Sequence, residues 1–477
     1  MEVAVTSAGK SPVSKNILLW LVAIGFFMET LDATIVNTAL PSMAKSLGES
    51  PLLMQSVVIA YSLTIAIVIP ATGWIADKFG TRKIFFSALI LFTLGSLACS
   101  MSHTLTELVL SRVLQGTGGA MMMPVGRLAV LRAFPQKEFL RAISFVTIPA
   151  LVGPLIGPTL GGWLVEVASW HWIFLINIPV GILGVIATYY HMPDSRGEQR
   201  HFDLPGFIML SASMVCISFS LDGLSELGFQ HATVLMLLIF GLSALTSYWL
   251  HASRRPNPLF SLSLFKSDTY TIGLLGNLFA RIGSSSMPFL IPLLLQVSLK
   301  FSPLEAGMTM VPVALAGIFA KRLATPLIVK MGYRKVLVSN TICVGLAMAS
   351  FALFSPSEPY LIRLIQLLFF GTVNSVQFTA MNTLTLKDLD FKLASSGNSL
   401  FSMIQMLAMS FAVAAAGALL STFAKHYGVA QGQEFAIEAF RATFVCMGII
   451  TCSSAWIFWQ LPPDLKDSGH GVVESHG

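Results

Sequence analysis

Two carboxylates, Glu29 and Asp32, interrupt an apolar run from about Ile17 to Leu40 in which nothing else is charged. Such a run can cross a bilayer, which takes about 20 apolar residues. An ionised side chain near the bilayer centre costs at least ~2.5–3.5 kcal/mol, so acids placed there face a bundle interior where water or a partner compensates them. Their spacing of three puts both on one helix face. Held that close in a low dielectric they cannot both ionise cheaply, so the pair is expected to titrate as a unit. The chemistry predicted is a proton and cation site; the bland alternative is one hydrogen-bonded acid that only locks helix packing. A base answers them in the fourth run, where Arg112 lies at a depth matching that of Asp32. A buried guanidinium needs a partner, and Asp32 or Glu29 is the candidate, unless Arg112 is bonded only to backbone carbonyls.

Other polar groups fall inside later runs. Arg281 stands near Asn277 and the Ser284 to Ser286 triplet, followed by Asn374, Gln377, Asn398 and Gln405; with Gln115 they are candidates for the wall of a cavity, or for plain helix-to-helix hydrogen bonds. The string from Gly73 to Lys83 ends the second run. Its glycines, Gly73 and Gly80, permit a tight turn, while Asp77 suits a helix N-terminus or a pair with a base such as Arg82, beside Lys83. This predicts a gating latch, or else a static topogenic loop. In the fifth run Gly153-Pro154, Gly157-Pro158 and Gly161-Gly162 give a smooth face for close helix approach, expected to be a rocking contact between halves. Trp170, His171 and Trp172 read as an interfacial aromatic anchor. No hydrolase elbow, zinc-protease helix or phosphate loop is found, so no enzyme is expected and no ATP bound by this chain as energy source.

These residues sit in a chain of 477 residues that is 55% apolar and 11% charged, with mean hydropathy +0.75. That composition excludes a soluble enzyme of this length and defines an all-α integral membrane protein, since the runs are long and continuous rather than short and alternating. About fourteen runs stand out, at roughly 17–40, 54–76, 84–103, 105–130, 141–166, 171–191, 205–222, 232–251, 270–297, 304–324, 336–354, 359–383, 396–421 and 437–460. The first reads as a retained helix rather than a removed signal peptide. Most of the 29 Lys and Arg residues flank the face that holds both termini; the other face keeps only Lys45, Lys300, Arg363, Lys425 and Arg441, and Arg112, Arg127 and Arg281 lie within runs. Both termini are therefore expected in the cytoplasm. The net charge of +6 is topological and does not point to nucleic acid. The five cysteines lie in apolar runs without metal-type spacing, which predicts free thiols and no metal.

A repeat is visible: Lys78, Gly80, Arg82 and Lys83 recur as Lys330, Gly332, Arg334 and Lys335 at the same place relative to their runs, with Val329 where Asp77 stands. Duplicated halves mark a transporter with its site between them. The expected layout is a cytoplasmic N-terminus (1–16), a six-helix bundle (17–191), a linker with two inserted helices read as a spacer (192–269), a second six-helix bundle (270–460) and a cytoplasmic tail (461–477).

The Asp77 to Lys83 loop, the Arg112 to Gly119 string, the glycine-proline run, Leu31 to Pro41, Trp172 to Pro179 and Phe301 to Pro303 together resemble the major facilitator superfamily. The resemblance is to drug:H+ antiporters of the fourteen-span EmrB/QacA type, and among these to HsrA/MdtD-type efflux proteins of Gram-negative bacteria. It covers nearly the whole chain. It implies two six-helix bundles with alternating access, proton-driven export of amphipathic or cationic compounds across the bacterial inner membrane, Asp32 and Arg112 in coupling, and Asp77 with Arg82 in gating. It further implies a monomer with small-molecule substrate, protons and lipids as partners and no cofactor beyond the proton gradient. Two departures stand out: Glu29 is an extra acid, and Val329 removes the acid from the second latch. A lipid flippase or a non-transporting membrane sensor is the alternative reading, although a sensor needs an output domain larger than the tail after Leu461.

Overall fold

The computed structural model describes residues 15–134, 136–197, 201–226, 231–388, 394–427 and 437–463, and every regular element among them is a helix. In lipid each backbone polar group must be bonded within its own segment, which the helix alone achieves in an open chain. The first unit comprises α1 (Lys15–Leu47), α2 (Gln55–Phe79), α3 (Thr81–Ser100), α4 (Leu105–Ala133), α5 (Gln136–Val167) and the broken rod of α6 (Trp172–Leu175) and α7 (Asn177–His191). A hairpin of α8 (Leu204–Glu226) and α9 (Ala232–Arg254) follows. The second unit opens with α10 (Asp268–Ser285), α11 (Met287–Leu293) and a π turn over Leu294–Ser298, then α12 (Pro303–Met331) and α13 (Tyr333–Ser350). It closes with α14 (Tyr360–Lys387), α15 (Ala394–Tyr427), and α16 (Ile437–Ser453) running into α17 (Ala455–Trp459).

Among the described residues 12 rods are long and apolar enough to cross a membrane. The helices α4, which carries Arg112 and Arg127, and α5, described only in part, are not among these; at 29 and 32 residues they pack between the others.

The repeat seen in the sequence extends to the backbone. Gly80 (φ 98°, ψ 144°) joins α2 to α3 and Gly332 (φ 81°, ψ 158°) joins α12 to α13, and a residue with a Cβ is strained at positive φ. Shifting the chain by the 252 residues between these glycines lays α1 on the α10 rod, α2 on α12, α3 on α13 and α4 on α14, give or take a few residues at their ends.

The units meet along two seams, α5 against α12 and α2 against α15. At the end that holds Gln55, one continuous core joins Val36, Leu40 and Met43 of α1 to Phe289 and Leu293 of α11 and Val413 of α15, and Gln296 Nε2 donates to the Thr38 carbonyl at 2.8 Å. Toward the end that holds Gly80 and Gly332 the core divides. One cluster joins α1 to α5 with α8, α9 and the starts of α10 and α15, so it still bridges the two units; the other, around Ala320, Tyr333 and Met381, is wholly C-terminal. The inserted hairpin does more than space the halves. Helix α8 lies against both α2 and α15, and Gln55 Nε2 donates to Asp222 Oδ1 at 2.7 Å.

Candidate functional site

Five helices converge on Asp32. Arg112 and Gln115, three residues apart on α4, share the face turned to α1. Arg112 Nη1 reaches Asp32 Oδ2 at 2.6 Å, Gln115 Nε2 donates to Asp32 Oδ1 at 2.8 Å, and Asn177 Nδ2, from the start of α7, donates to the same oxygen at 3.1 Å. Gln115 also donates to Ser96 Oγ of α3 at 2.8 Å and accepts from Arg112 through Oε1. From α2 the Val57 carbonyl accepts from Arg112 Nε at 3.4 Å, and the Tyr61 ring centroid lies 4.0 Å from the guanidinium carbon. Both charges are out of solvent, with Asp32 at 0% and Arg112 at 1% exposure. Such a pair is held because both carboxylate oxygens of Asp32 accept hydrogen bonds from the groups around it; removing one partner from a buried pair costs ~3–5 kcal/mol. Close helix approach makes the cluster possible: a Cβ at Gly118 of α4 would overlap the backbone of Ala88 and Phe92 on α3.

Glu29 is one turn away and differently placed. Its Oε2 has no hydrogen-bond partner among the described residues, and the residue is 8% exposed. Arg127 of α4, an exposed residue, is the cation that acts on it, without a direct ion pair. The two acids thus do not share one environment: Asp32 is walled off and saturated, and Glu29 keeps a free oxygen.

The loop after α2 corrects one expectation. Asp77 pairs with Arg132, at the end of α4, and not with Arg82. Arg132 Nη1 also donates to the Ser195 carbonyl at 3.2 Å, and the Arg82 backbone N–H donates to Asp194 Oδ1 at 3.3 Å, so the latch clasps the irregular segment that leaves α7. Lys83 is exposed, and Gly73 faces open space, so no close approach requires that glycine. In the second half Val329 is 52% exposed, and Arg334 covers the Trp459 ring at 4.5 Å and pairs with no acid among the described residues.

The glycines of α5 are also reassigned. Gly153, Gly157 and Gly161 press on Thr30, Thr34 and Ile35 of α1, within their own unit. The expected contact between halves is made by the other members of the run, Gly162 and Pro158: a Cβ at Gly162 would strike the Pro303 carbonyl of α12, and one at Gly307 would strike the Pro158 carbonyl. Pro154 is exposed.

Of the remaining candidates, Gln115 belongs to the Asp32 cluster, and Asn277 and Gln377 bind neighbouring helices, Asn277 Nδ2 donating to Thr385 Oγ1 at 3.2 Å and Gln377 Nε2 to Thr341 Oγ1 at 2.6 Å. Gln405 Nε2 donates to Asn382 Oδ1 at 3.0 Å. Asn374 and Asn398 are half-buried. Arg281 stacks on Phe378 of α14, 4.4 Å from guanidinium carbon to ring centroid. Sequence reasoning missed Asn177, Arg132 and the role of Arg127. Only Arg127 carried a signal, as a charge inside an apolar run.

A helical membrane protein with a duplicated backbone, and ionisable groups gathered in the interior of its first half, is built as a transporter. The chain belongs to the Major Facilitator Superfamily, whose profile matches residues 22–413. It is a family of transporters and not of enzymes. The "Putative multidrug resistance protein MdtD" of Yersinia pestis (strain Pestoides F) is 50% identical over 452 residues, covering 95% of this chain and 97% of that protein; its counterpart in Yersinia pseudotuberculosis serotype O:1b (strain IP 31758) is equally similar. Among solved structures, a bacterial homologue of the human lysosomal transporter Spinster superposes with a TM-score of 0.68 at 15% identity, over 94% of this chain and 97% of that one. A D-xylose-proton symporter gives 0.65 at 15% identity, over 94% and 98%. At that identity these two report the fold alone.

Proposed function

We propose that the chain is a proton-coupled antiporter that exports amphipathic, cationic compounds from a bacterial cell by alternating access. It acts as a monomer of fourteen crossings in the inner membrane, with both termini cytoplasmic and the proton gradient as its only energy source. The basic loops at the Gly80 end support that orientation, and the relatives named for multidrug resistance support the substrate class. The joined core at the Gln55 end, with Gln296 bonded to the Thr38 carbonyl across it, supports a state closed to the outside.

The observation that carries the mechanism is the contrast between the two acids. Glu29 has an unpartnered oxygen and slight exposure, so a proton or the cationic group of a substrate satisfies it, and one excludes the other. That exclusion is antiport. Asp32, saturated by Arg112, Gln115 and Asn177 just beneath the outer seal, acts as the switch: its ion pair holds α1, α4 and α7 together, and a proton arriving from outside releases Arg112. The Asp77–Arg132 latch holds the cytoplasmic ends of α2 and α4 in register during the exchange.

Everted vesicles from a pump-deficient host test this reading. Ethidium is expected to accumulate when a pH gradient is imposed and to leave when nigericin collapses it, and Asp32→Asn at normal expression is expected to abolish the accumulation. Uptake indifferent to the gradient, or an unchanged Asp32→Asn, contradicts it.

A further inference from the structure

Arg281 is a half-buried cation with no part in the scheme above. It stands in α10, one turn after Asn277 and just before the helix breaks at Ser286. One face of its guanidinium lies on Phe378. Its Nε and Nη2 touch no solvent and donate to no described atom, and among the described residues no acid pairs with it. Those two N–H groups form the side-on edge of the guanidinium, the fork that grips a carboxylate or phosphate with two parallel bonds. Arg112 shows what this protein does with a permanently buried guanidinium: it surrounds it with an acid, an amide and a carbonyl. Among the described residues Arg281 is given none of these, only an aromatic face, and two buried N–H groups left without an acceptor are poised for a partner that comes and goes.

Position narrows what that partner is. Under the 252-residue shift Arg281 is the second-half counterpart of Glu29, so the two repeats hold opposite charges, each with unpartnered polar atoms, at equivalent places on α1 and α10. Around Arg281, the Phe378 ring is 40% exposed and Asn374, one turn earlier on α14, is half-buried. We infer that Arg281, with Phe378 beneath it, receives an oxyanion carried by the transported compound. The substrates are therefore amphoteric amphiphiles, with an amine for Glu29, a carboxylate or phosphate for Arg281, and a ring to share the Phe378 face. Only the amine half of this rests on the antiport reading.

Three probes sharing one dye separate the possibilities: dansylcadaverine carries an amine, dansyl-6-aminohexanoate an acid, and Nε-dansyl-lysine both. Binding to the purified full chain is read by dansyl anisotropy in maltoside micelles, which hold no phosphate. Nε-dansyl-lysine is expected to bind roughly 10-fold more tightly than dansylcadaverine, as one charge-assisted pair confers. Arg281→Gln should erase that advantage and leave dansylcadaverine binding unchanged. Arg281→Lys keeps the charge without the fork and should retain roughly a 3-fold advantage; with the wild-type comparison it decides the matter if Arg281→Gln is not monodisperse. Glu29→Gln should weaken the two amine-bearing probes while dansyl-6-aminohexanoate still binds.

Equal binding of dansylcadaverine and Nε-dansyl-lysine to the wild type, or a 10-fold advantage that survives Arg281→Gln, overturns the inference. So does an advantage that disappears when phosphatidylglycerol is added, which would give the fork to a lipid headgroup. A 10-fold advantage in a protein that fails to transport under a pH gradient would sink antiport and keep the amphoteric site; transport without the advantage would do the reverse.

Discussion

The two repeats carry the same turn and opposite electrostatics. Gly80 and Gly332 adopt nearly the same left-handed backbone, and α1 to α4 lie in register with the α10 rod to α14. Yet the first half gathers Asp32, Arg112, Gln115 and Asn177 into a saturated cluster and closes its loop with Asp77 and Arg132, whereas in the second no acid among the described residues pairs with Arg281, and Val329 stands at the acid position. Backbone symmetry supplies the rocking of two units. The charges that break it assign a different task to each wall.

The largest expected effect comes from breaking the saturated side. Asp32→Asn leaves Arg112 buried without its counter-ion, which should lower stability by ~3–5 kcal/mol as well as end transport. A thermal melt of purified protein checks this, and wild-type melting would mean that the cluster is not what holds α1, α4 and α7. Next is the seam between the units. Gly162→Leu must displace the Pro303 backbone, at ~1–3 kcal/mol, and should stop transport, while Gly73→Leu, facing open space, should be silent in the same vesicle assay. Equal behaviour of the two glycines would remove the seam from the mechanism.

The latches come third. Asp77 and Arg132 are 31% and 23% exposed, so their pair contributes at most ~1 kcal/mol, and Asp77→Asn should slow transport a few-fold. Val329→Asp, which restores symmetry at an exposed site, should change the rate less. A larger effect from Val329→Asp would mean that the asymmetry itself is tuned.

The smallest effect lies in the linker, outside the membrane. Burial works against the charge of Asp203, but hydrogen bonds from His251 Nε2 at 2.8 Å and from the Gly206 and Leu259 N–H groups outweigh it and hold the carboxyl below its usual range. A depressed folded-state pKa contributes stability above the unfolded value, about 3.9, that is lost as pH falls through the folded value. Melting temperature should therefore fall as pH drops below about 4, and Asp203→Asn should flatten that limb.

How much of this was legible in the sequence depended on what each residue stood among. Asp32 and Arg112 could be matched because a charge in an apolar run is costly and both lie at one depth. The repeat could be read because left-handed turns need glycine at fixed positions. The partner of Asp77 could not be, since it depends on where the far end of α4 lands. Asn177 gave no warning either, being a neutral amide at the start of α7 that only the fold brings under α1. The face of α5 was recognised as a packing face, and Pro158 and Gly162 do meet the other half, but Gly153, Gly157 and Gly161 meet α1, because spacing fixes which glycines align and not which helix meets them.

Proton release on substrate binding tests the central claim, that Glu29 holds either a proton or the substrate's cation. With the purified chain in weakly buffered maltoside and a pH indicator, dansylcadaverine should release a proton from the wild type and none from Glu29→Gln. Release from Glu29→Gln equal to that of the wild type, or no release from the wild type at saturating probe, would contradict it.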